Sequence, residues 1–251
     1  MQRTQFNDHI SGQLNRNLEA LFNQVLEMGG LVEKQLDYLL EAIGCDDKVM
    51  AKKIKQMDKV VNREEVEIDR LCAMVLARQQ PKASDLRLII ISIRMAVDLE
   101  RIGDEAVIAS KLATKMAKHG VQCQSLPGFN GLVEVASCGV ENLKKSLNAF
   151  SGLDLSDILD IVDDQERVES VVKRSLADIH LAFEEASQTP EHLMEMIYAL
   201  RASARITDHI VNLAESIVYL VEGRDVRNMN SRKLTEFLDG VNESADAVVG
   251  P

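Results

Sequence analysis

Tryptophan is absent from this 251-residue chain, and aromatic residues of all kinds make up 4% of it. Proline occurs 4 times and glycine 13 times. A chain so poor in aromatics and turn residues is excluded from the many-stranded β folds, which use both. The four cysteines, Cys45, Cys72, Cys123 and Cys138, form no Cys-x-x-Cys unit. They read as buried or idle thiols in a reducing cytoplasm. Long apolar runs are missing too. The longest, Leu86 to Val97, is interrupted by Arg87 and Arg94 and is too short to span a bilayer. The first residues, Met-Gln-Arg-Thr-Gln-Phe-Asn-Asp, lack the apolar core of a signal peptide. A cytoplasmic location without membrane insertion is expected. Positive charge is the scarce sign: 29 Lys and Arg stand against 40 Asp and Glu, a net charge of −11. That balance disfavours a nucleic-acid binder, whose affinity rests on Lys and Arg, and docking on an anionic membrane surface. It leaves a basic protein surface open as a partner.

Helix formers are what remains. Leu, Ala, Glu, Lys and Met recur at helical spacing, so the fold class expected is all-α. The length suffices to bury a core as one domain or as two tightly packed halves. Duplication favours two halves: Asp98-Leu-Glu-Arg-Ile-Gly-Asp104 returns as Ala202-Ser-Ala-Arg-Ile-Thr-Asp208, with Arg101 and Arg205 104 residues apart. The pattern predicts six helices in two sets of three. The first three run from His9 to Ala42, Asp46 to Arg78 and Ser84 to Lys118, the last capped by Ser84 or Asp85. A loop over His119–Gly128 separates the halves. The fourth helix covers Leu132–Phe150, the fifth starts at Asp154 or Ser156, and the sixth runs from Pro190 to Gly223. The expected units are 1–122, 123–225 and a polar, acidic tail over 226–251, whose segment from Ser231 forms a short helix that frays. The halves could lie end to end or side by side. Met28-Gly-Gly30 either bends the first helix or permits a close helix contact.

A helical wheel of the third helix places Leu88, Ile91, Met95, Ile102, Ala106 and Ala109 around Leu99 as a core stripe. Arg87, Arg94, Asp98, Arg101 and Glu105 fall opposite and read as a solvated stripe, with Arg101 reaching Asp98 or Glu105. Glu100 and Asp104 lie on neither. They share a partly covered flank with Leu86, Ile89, Ile93, Val97 and Val107, and carboxylates at i, i+4 repel. Covering them demands a compensating group. Either a hard cation held by carboxylate oxygens or an internal ion pair with Lys111 or a lysine of another helix would serve. In the second copy that flank carries Asp208, Asn212, Glu215 and Tyr219, while Ala204 replaces Glu100, so the second site is the weaker. The second helix adds Asp58-Lys-Val-Val-Asn62, of which Asp58 joins the candidates. Its counterpart on the fifth helix (Asp163, Asp164, Glu166, Glu169) cannot be aligned without a shift. No Glu-x-x-His, phosphate-binding Gly-rich loop or Gly-x-Ser-x-Gly occurs, so an enzyme is not expected.

At these residues the chain resembles the PhoU family of bacterial phosphate-uptake regulators. The resemblance runs almost end to end. It includes His9-Ile-Ser-Gly-Gln13, Met28-Gly-Gly30, Asp58-Lys-Val-Val-Asn62 and Glu65-Val-Glu-Ile-Asp69. It continues through Ala77-Arg-Gln-Gln-Pro-Lys-Ala-Ser-Asp-Leu-Arg87, Asp98-Leu-Glu-Arg-Ile-Gly-Asp104 and Tyr219-Leu-Val-Glu-Gly-Arg-Asp-Val-Arg227. It implies two similar three-helix bundles in a cytoplasmic, non-catalytic adaptor, commonly a homodimer. Its implied partners are the ATPase subunit of a phosphate ABC transporter and a phosphate-sensing histidine kinase. Phosphate-starvation genes would be repressed, and phosphate uptake restrained, when phosphate is plentiful. No cofactor is required, but some members hold metal clusters through Glu/Asp-x-x-x-Asp motifs. That implies a site for a divalent or iron-type metal (Mg, Mn, Fe or Zn) at Asp58, Glu100, Asp104 and Asp208. Glu100 and Asp104 match the motif, whereas Ala204 departs from it. Glu105 replaces the histidine that often follows, which His209 keeps, and Asn62 stands where many members have Asp. A metal-dependent enzyme or metal store is the alternative function.

Overall fold

The computed structural model describes residues 12–78, 81–227, 229 and 231–248. Within them the chain forms α1 (Gly12–Cys45), α2 (Lys48–Arg78) and α3 (Ala83–His119), a 3-10 turn at Cys123–Ser125, then α4 (Phe129–Gly152), α5 (Ile158–Glu184), α6 (Pro190–Glu222) and α7 (Ser231–Val248). The expected start at His9 and the end of the tail, 249–251, lie outside the described residues. Helices α1, α2 and α3 pack on one another, as do α4, α5 and α6. The bundles lie side by side. Their main seam runs between α3 and α6, a second joins α1 to α4, and α7 rests on α5.

Local chemistry sets the helix ends. At the start of α3 the Asp85 carboxylate accepts a hydrogen bond from the Lys82 backbone N–H at 3.0 Å. Asp85 therefore caps from inside the first turn and Ser84 is not the cap. Pro190 opens α6, where its missing N–H has no helical partner to lose. Gly120 and Gly223 end α3 and α6 with φ of 69° and 74°, the left-handed geometry that glycine adopts without strain. The fifth helix begins later than expected, at Ile158, because Asp154 accepts from the Ser156 N–H at 3.0 Å in a local turn. Gly29 and Gly30 do not interrupt α1. Gly29 is a contact point: a Cβ there would meet Leu147 Cδ2 of α4 at 2.3 Å. Phe22 and Phe150 stack beside it with centroids 4.5 Å apart, and Lys144 of α4 reaches Glu33 and Asp37 of α1 at 3.8 and 3.5 Å. Cys72, Cys123 and Cys138 are buried, Cys45 is exposed, and all are free thiols. Burial pushes the Cys72 thiol up to about 12.

Burial gives the duplication its register. The 104-residue shift carries Ile102, Ala106, Ala109 and Ala113 of α3 onto Ile206, Ile210, Leu213 and Ile217 of α6, all buried. The same shift carries Leu36, Leu39 and Ile43 of α1 onto Val140, Leu143 and Leu147 of α4. Helix α2 needs a shift of 107: Ile54, Val61, Cys72 and Val75 become Ile161, Val168, Ile179 and Ala182. The three extra residues lie in the α4–α5 connection, which spans 153–157 where α1–α2 has 46–47. That insertion is the shift the sequence alone left unplaced.

Candidate carboxylate site

Asp58 of α2 and Glu100 and Asp104 of α3 sit on facing sides of the α2–α3 packing, with Asn62, Glu65 and Asp69 along the same stretch of α2. Glu100 has 15% of its side chain exposed and Asp104 41%. Burial raises the Glu100 carboxyl above its ordinary range, and Asp104, Glu65 and Asp58 raise it further. Asp58 is raised by burial and then by Asp104, an effect that nearby Gln35 only partly offsets. Glu65 is raised by burial and by Asp69 and Asp104. Crowded carboxylates share one consequence: each makes the next harder to ionise.

Among the described residues no lysine pairs with them, neither Lys111 nor one of another helix. Arg101 instead lies 3.6 Å from Glu100 and 3.8 Å from Asp104. The Oδ1 atoms of Asp58 and Asn62 are buried without a hydrogen-bond partner. Gln35 of α1 donates to the carbonyls of Ile54 and Gly103 at 3.3 and 3.2 Å, which leaves its own Oε1 orphaned. Gly103 makes room for this approach, since a Cβ there would meet Gln35 Oε1 at 3.1 Å and push it by a few tenths of an ångström, with Asp58 Oδ1 in ordinary contact at 3.5 Å.

The second half loses most of the arrangement. By the two shifts, Asp58 becomes Gln165, Glu65 becomes Val172, Asp69 becomes Leu176 and Glu100 becomes Ala204, while Asn62 becomes Glu169. Asp208, the counterpart of Asp104, accepts a hydrogen bond from the Gln165 side chain. A carboxylate pair in one half is thus an amide–carboxylate bond in the other. Gln35 and Gly103 become Gly139 and Thr207, so the large and small partners are exchanged: a Cβ at Gly139 would lie 3.8 Å from Thr207 Cγ2. Asp208, Asn212 and Glu215 are not brought together. Asn212 donates to Asp98 at 3.1 Å, and Glu215 is raised first by burial, beside Arg227 and Asp225.

Of the stripe expected to be solvated, Arg101 is 58% exposed, whereas Arg94, Asp98 and Glu105 lie in the main seam between the halves. Asp98 and Glu105 have 15% and 13% of their side chains exposed. Asp98 Oδ1 lies 2.9 Å from His209 Nδ1, and Glu105 accepts from Arg205 at 2.7 Å. Arg94 lies over the Tyr219 ring at 5.7 Å. A wheel drawn for one helix cannot show that a second helix covers its polar face, which is why this seam was missed.

The carboxylates of Asp58, Glu65, Glu100 and Asp104 and the amide oxygen of Asn62, with Oδ1 of Asp58 and of Asn62 left without partners, fit a hard cation in the first half by donor chemistry. As the side chains stand, no three His, Cys, Asp or Glu among the described residues converge as a metal site. The neutralised second half does not fit. No described helix is long and apolar enough to cross a membrane.

A family model described as the PhoU domain matches residues 25–113 and 132–217, once in each half. A phosphate-specific transport system accessory protein PhoU homolog of Pseudomonas putida is 37% identical over 236 residues, covering 92% of this chain and 90% of that protein. The Escherichia coli accessory protein PhoU is 34% identical over 244 residues, covering 96% and 98%. The crystal structure of PhoU from Pseudomonas aeruginosa aligns with a TM-score of 0.79 at 34% identity, covering 84% of this chain and 99% of that one. With two matched domains, a shared architecture and relatives matched over nearly their whole length, the chain belongs to the PhoU family.

Proposed function

We propose that the chain is a cytoplasmic accessory regulator of phosphate transport, an adaptor between a phosphate ABC transporter and a phosphate-sensing histidine kinase. It holds starvation genes off, and restrains uptake, when phosphate is plentiful. The accessory and transport parts of this reading rest on relatives named phosphate-specific transport system accessory proteins and matched over most of both chains. The observation that favours an adaptor over a catalyst is the construction of the polar sites. The seam from Asp98 to Arg205 is spent on joining the halves, and no nucleophile–base pair accompanies the carboxylates of α2 and α3. An adaptor of this kind works by binding one state of a partner better than another. The test is a starvation-gene reporter in cells lacking the chain: it is expected to be on in high phosphate and silenced by the wild-type gene. A reporter that stays silent without the chain would overturn the reading.

A second reading is favoured by the orphaned oxygens of Asp58 and Asn62. On it, the first half holds a divalent or iron-type cation at Asp58, Glu100 and Asp104, and Asp208 contributes nothing comparable. Elemental analysis of chelator-free protein tests it, beside Glu100→Ala/Asp104→Ala. Metal in the wild type that disappears from the variant supports the site, whereas metal-free wild type, with no rise in Tm on adding Mn2+ or Zn2+, refutes it.

A further inference from the structure

On a chain of net charge −11, residues 48–59 carry five lysines and a single carboxylate, Asp58. The structure gathers three of them, Lys48, Lys52 and Lys55, on one side of a groove between α2 and α3, and sets Lys111 and Lys115 on the other. The groove has a volume of about 720 Å³ and no carboxylate in its lining. Lys115 is held by Glu195 of α6. The other four have no ion-pair partner among the described residues. Between the lysines the lining is mostly apolar: Ala51, Val107 and the 56% exposed Val49, with the small hydroxyl side chains of Ser110 and Thr114.

The second half shows what this face becomes when it is covered. By the same shifts Lys48, Lys52, Lys55 and Lys115 correspond to Leu155, Leu159, Val162 and Tyr219, each packed against the core. Lys111 corresponds to Glu215, which stands beside Arg227 and Asp225 of the segment returning after α6. Helix α7 then packs on α5, burying Leu234 and Leu238. The first half keeps the groove and an apolar floor, none of its described segments lies over it, and its rim is charged.

We propose that this groove docks an acidic, amphipathic helix of a partner protein. Two antiparallel helices offer a concave channel about 10–12 Å long, the length of about two turns. Such a channel takes apolar anchors at i, i+3, i+4 and i+7. Four unpaired ammonium groups at its rim select carboxylates on the flanks of the incoming helix and speed its encounter. A small anion would leave the apolar floor uncovered, and a flat bilayer does not enter a channel between two helices. The proposal rests on the adaptor reading and assigns one partner surface within it.

The test uses the full chain and a fluorescent synthetic helix with leucine at i, i+3, i+4 and i+7 and glutamate elsewhere, with a scrambled peptide of the same composition as control. Anisotropy is expected to show saturable binding of the helix, at least tenfold tighter than the scrambled peptide. Binding should weaken at least tenfold in Lys52→Glu/Lys111→Glu and in Val49→Asp, all at exposed positions, with Tm confirming that each variant is folded. Equal binding of both peptides, no binding, or binding unchanged by the substitutions would overturn the proposal. So would displacement of the helix by inorganic polyphosphate or by phosphatidylglycerol vesicles at lower charge-equivalent concentration. The assay contains no transporter or kinase. A failed peptide with an intact reporter effect therefore sinks this surface alone, and a silent reporter without the chain sinks the adaptor reading alone.

Discussion

Neighbouring glycines in α1 should respond to alanine with opposite signs. Gly29 faces Leu147 of α4, whereas nothing lies within 4 Å of a Cβ at Gly30. Replacing a glycine inside a helix with alanine gains about 0.8–1 kcal/mol from the backbone alone, so Gly30→Ala should stabilise the chain by about that amount. At Gly29 the new methyl would meet Leu147 Cδ2, Cδ1 and Cγ at 2.3, 3.1 and 3.3 Å. Turning the isopropyl group relieves Cδ2 but leaves Cγ tight at 3.3 Å, so the Leu147 side chain or the α1–α4 spacing must give by a few tenths of an ångström. Overpacking of this kind costs about 1–3 kcal/mol. Gly29→Ala should therefore fall about 1–3 kcal/mol below Gly30→Ala, and near or below the wild type. For a chain of this size each kcal/mol moves Tm by about 2–4 °C, a separation that thermal and urea denaturation resolve. In the Leu147→Ala background the clash is gone and Gly29→Ala should regain its helical advantage. Equal stabilisation by the two alanines would refute the close contact of Gly29 with Leu147 in the α1–α4 seam.

Other outcomes follow from the polar groups. Because burial and neighbouring carboxylates raise Glu100, Asp58 and Glu65, the folded chain keeps protons that the unfolded chain has released. These groups therefore lower stability as pH rises from the ordinary carboxylate range through their raised values. Glu100→Gln should be more stable than the wild type at pH 7, by about 0.5 kcal/mol after solvent screening, and should lose part of that slope in denaturation from pH 4 to 7. Equal slopes would contradict the crowding. Asp98→Ala leaves His209 and Asn212 without their shared acceptor and should cost about 1–3 kcal/mol, whereas Arg205→Ala removes a half-exposed guanidinium from the mostly covered Glu105 and should cost about 1 kcal/mol. The reverse order in urea melts would contradict the seam. Arg101, 58% exposed, should tolerate alanine with little change in Tm, so loss of reporter repression by folded Arg101→Ala would mark a signalling role.

Much of this architecture is legible in the residues, and the failures have identifiable causes. The core stripe of α3 around Leu99 is buried as its spacing requires, and the Arg-Ile repeat marks two equivalent helices because α3 and α6 share one register. Helix α5 resisted alignment because three residues inserted before it change the shift from 104 to 107, and only burial shows where they lie. Asp58, Glu100 and Asp104 do share one stretch of the α2–α3 packing. The loss of Glu100 at Ala204 anticipated a degraded second half, although the replacement of Asp58 by Gln165 needed the structure. Asp98 and Glu105 were misread because polarity marks a surface, not what covers it. The lysine run after Cys45 was visible as composition, yet its groove exists only once Val107 and Lys111 of α3 come alongside.

The adaptor account is tested most directly by reconstituting the phosphate transporter and the sensor kinase in one membrane and measuring kinase autophosphorylation with and without this chain. The account predicts that phosphate lowers autophosphorylation only when both the chain and the transporter are present, and that Lys52→Glu/Lys111→Glu weakens the effect. Autophosphorylation that responds to phosphate equally well without the chain, or never responds with it, would contradict the account.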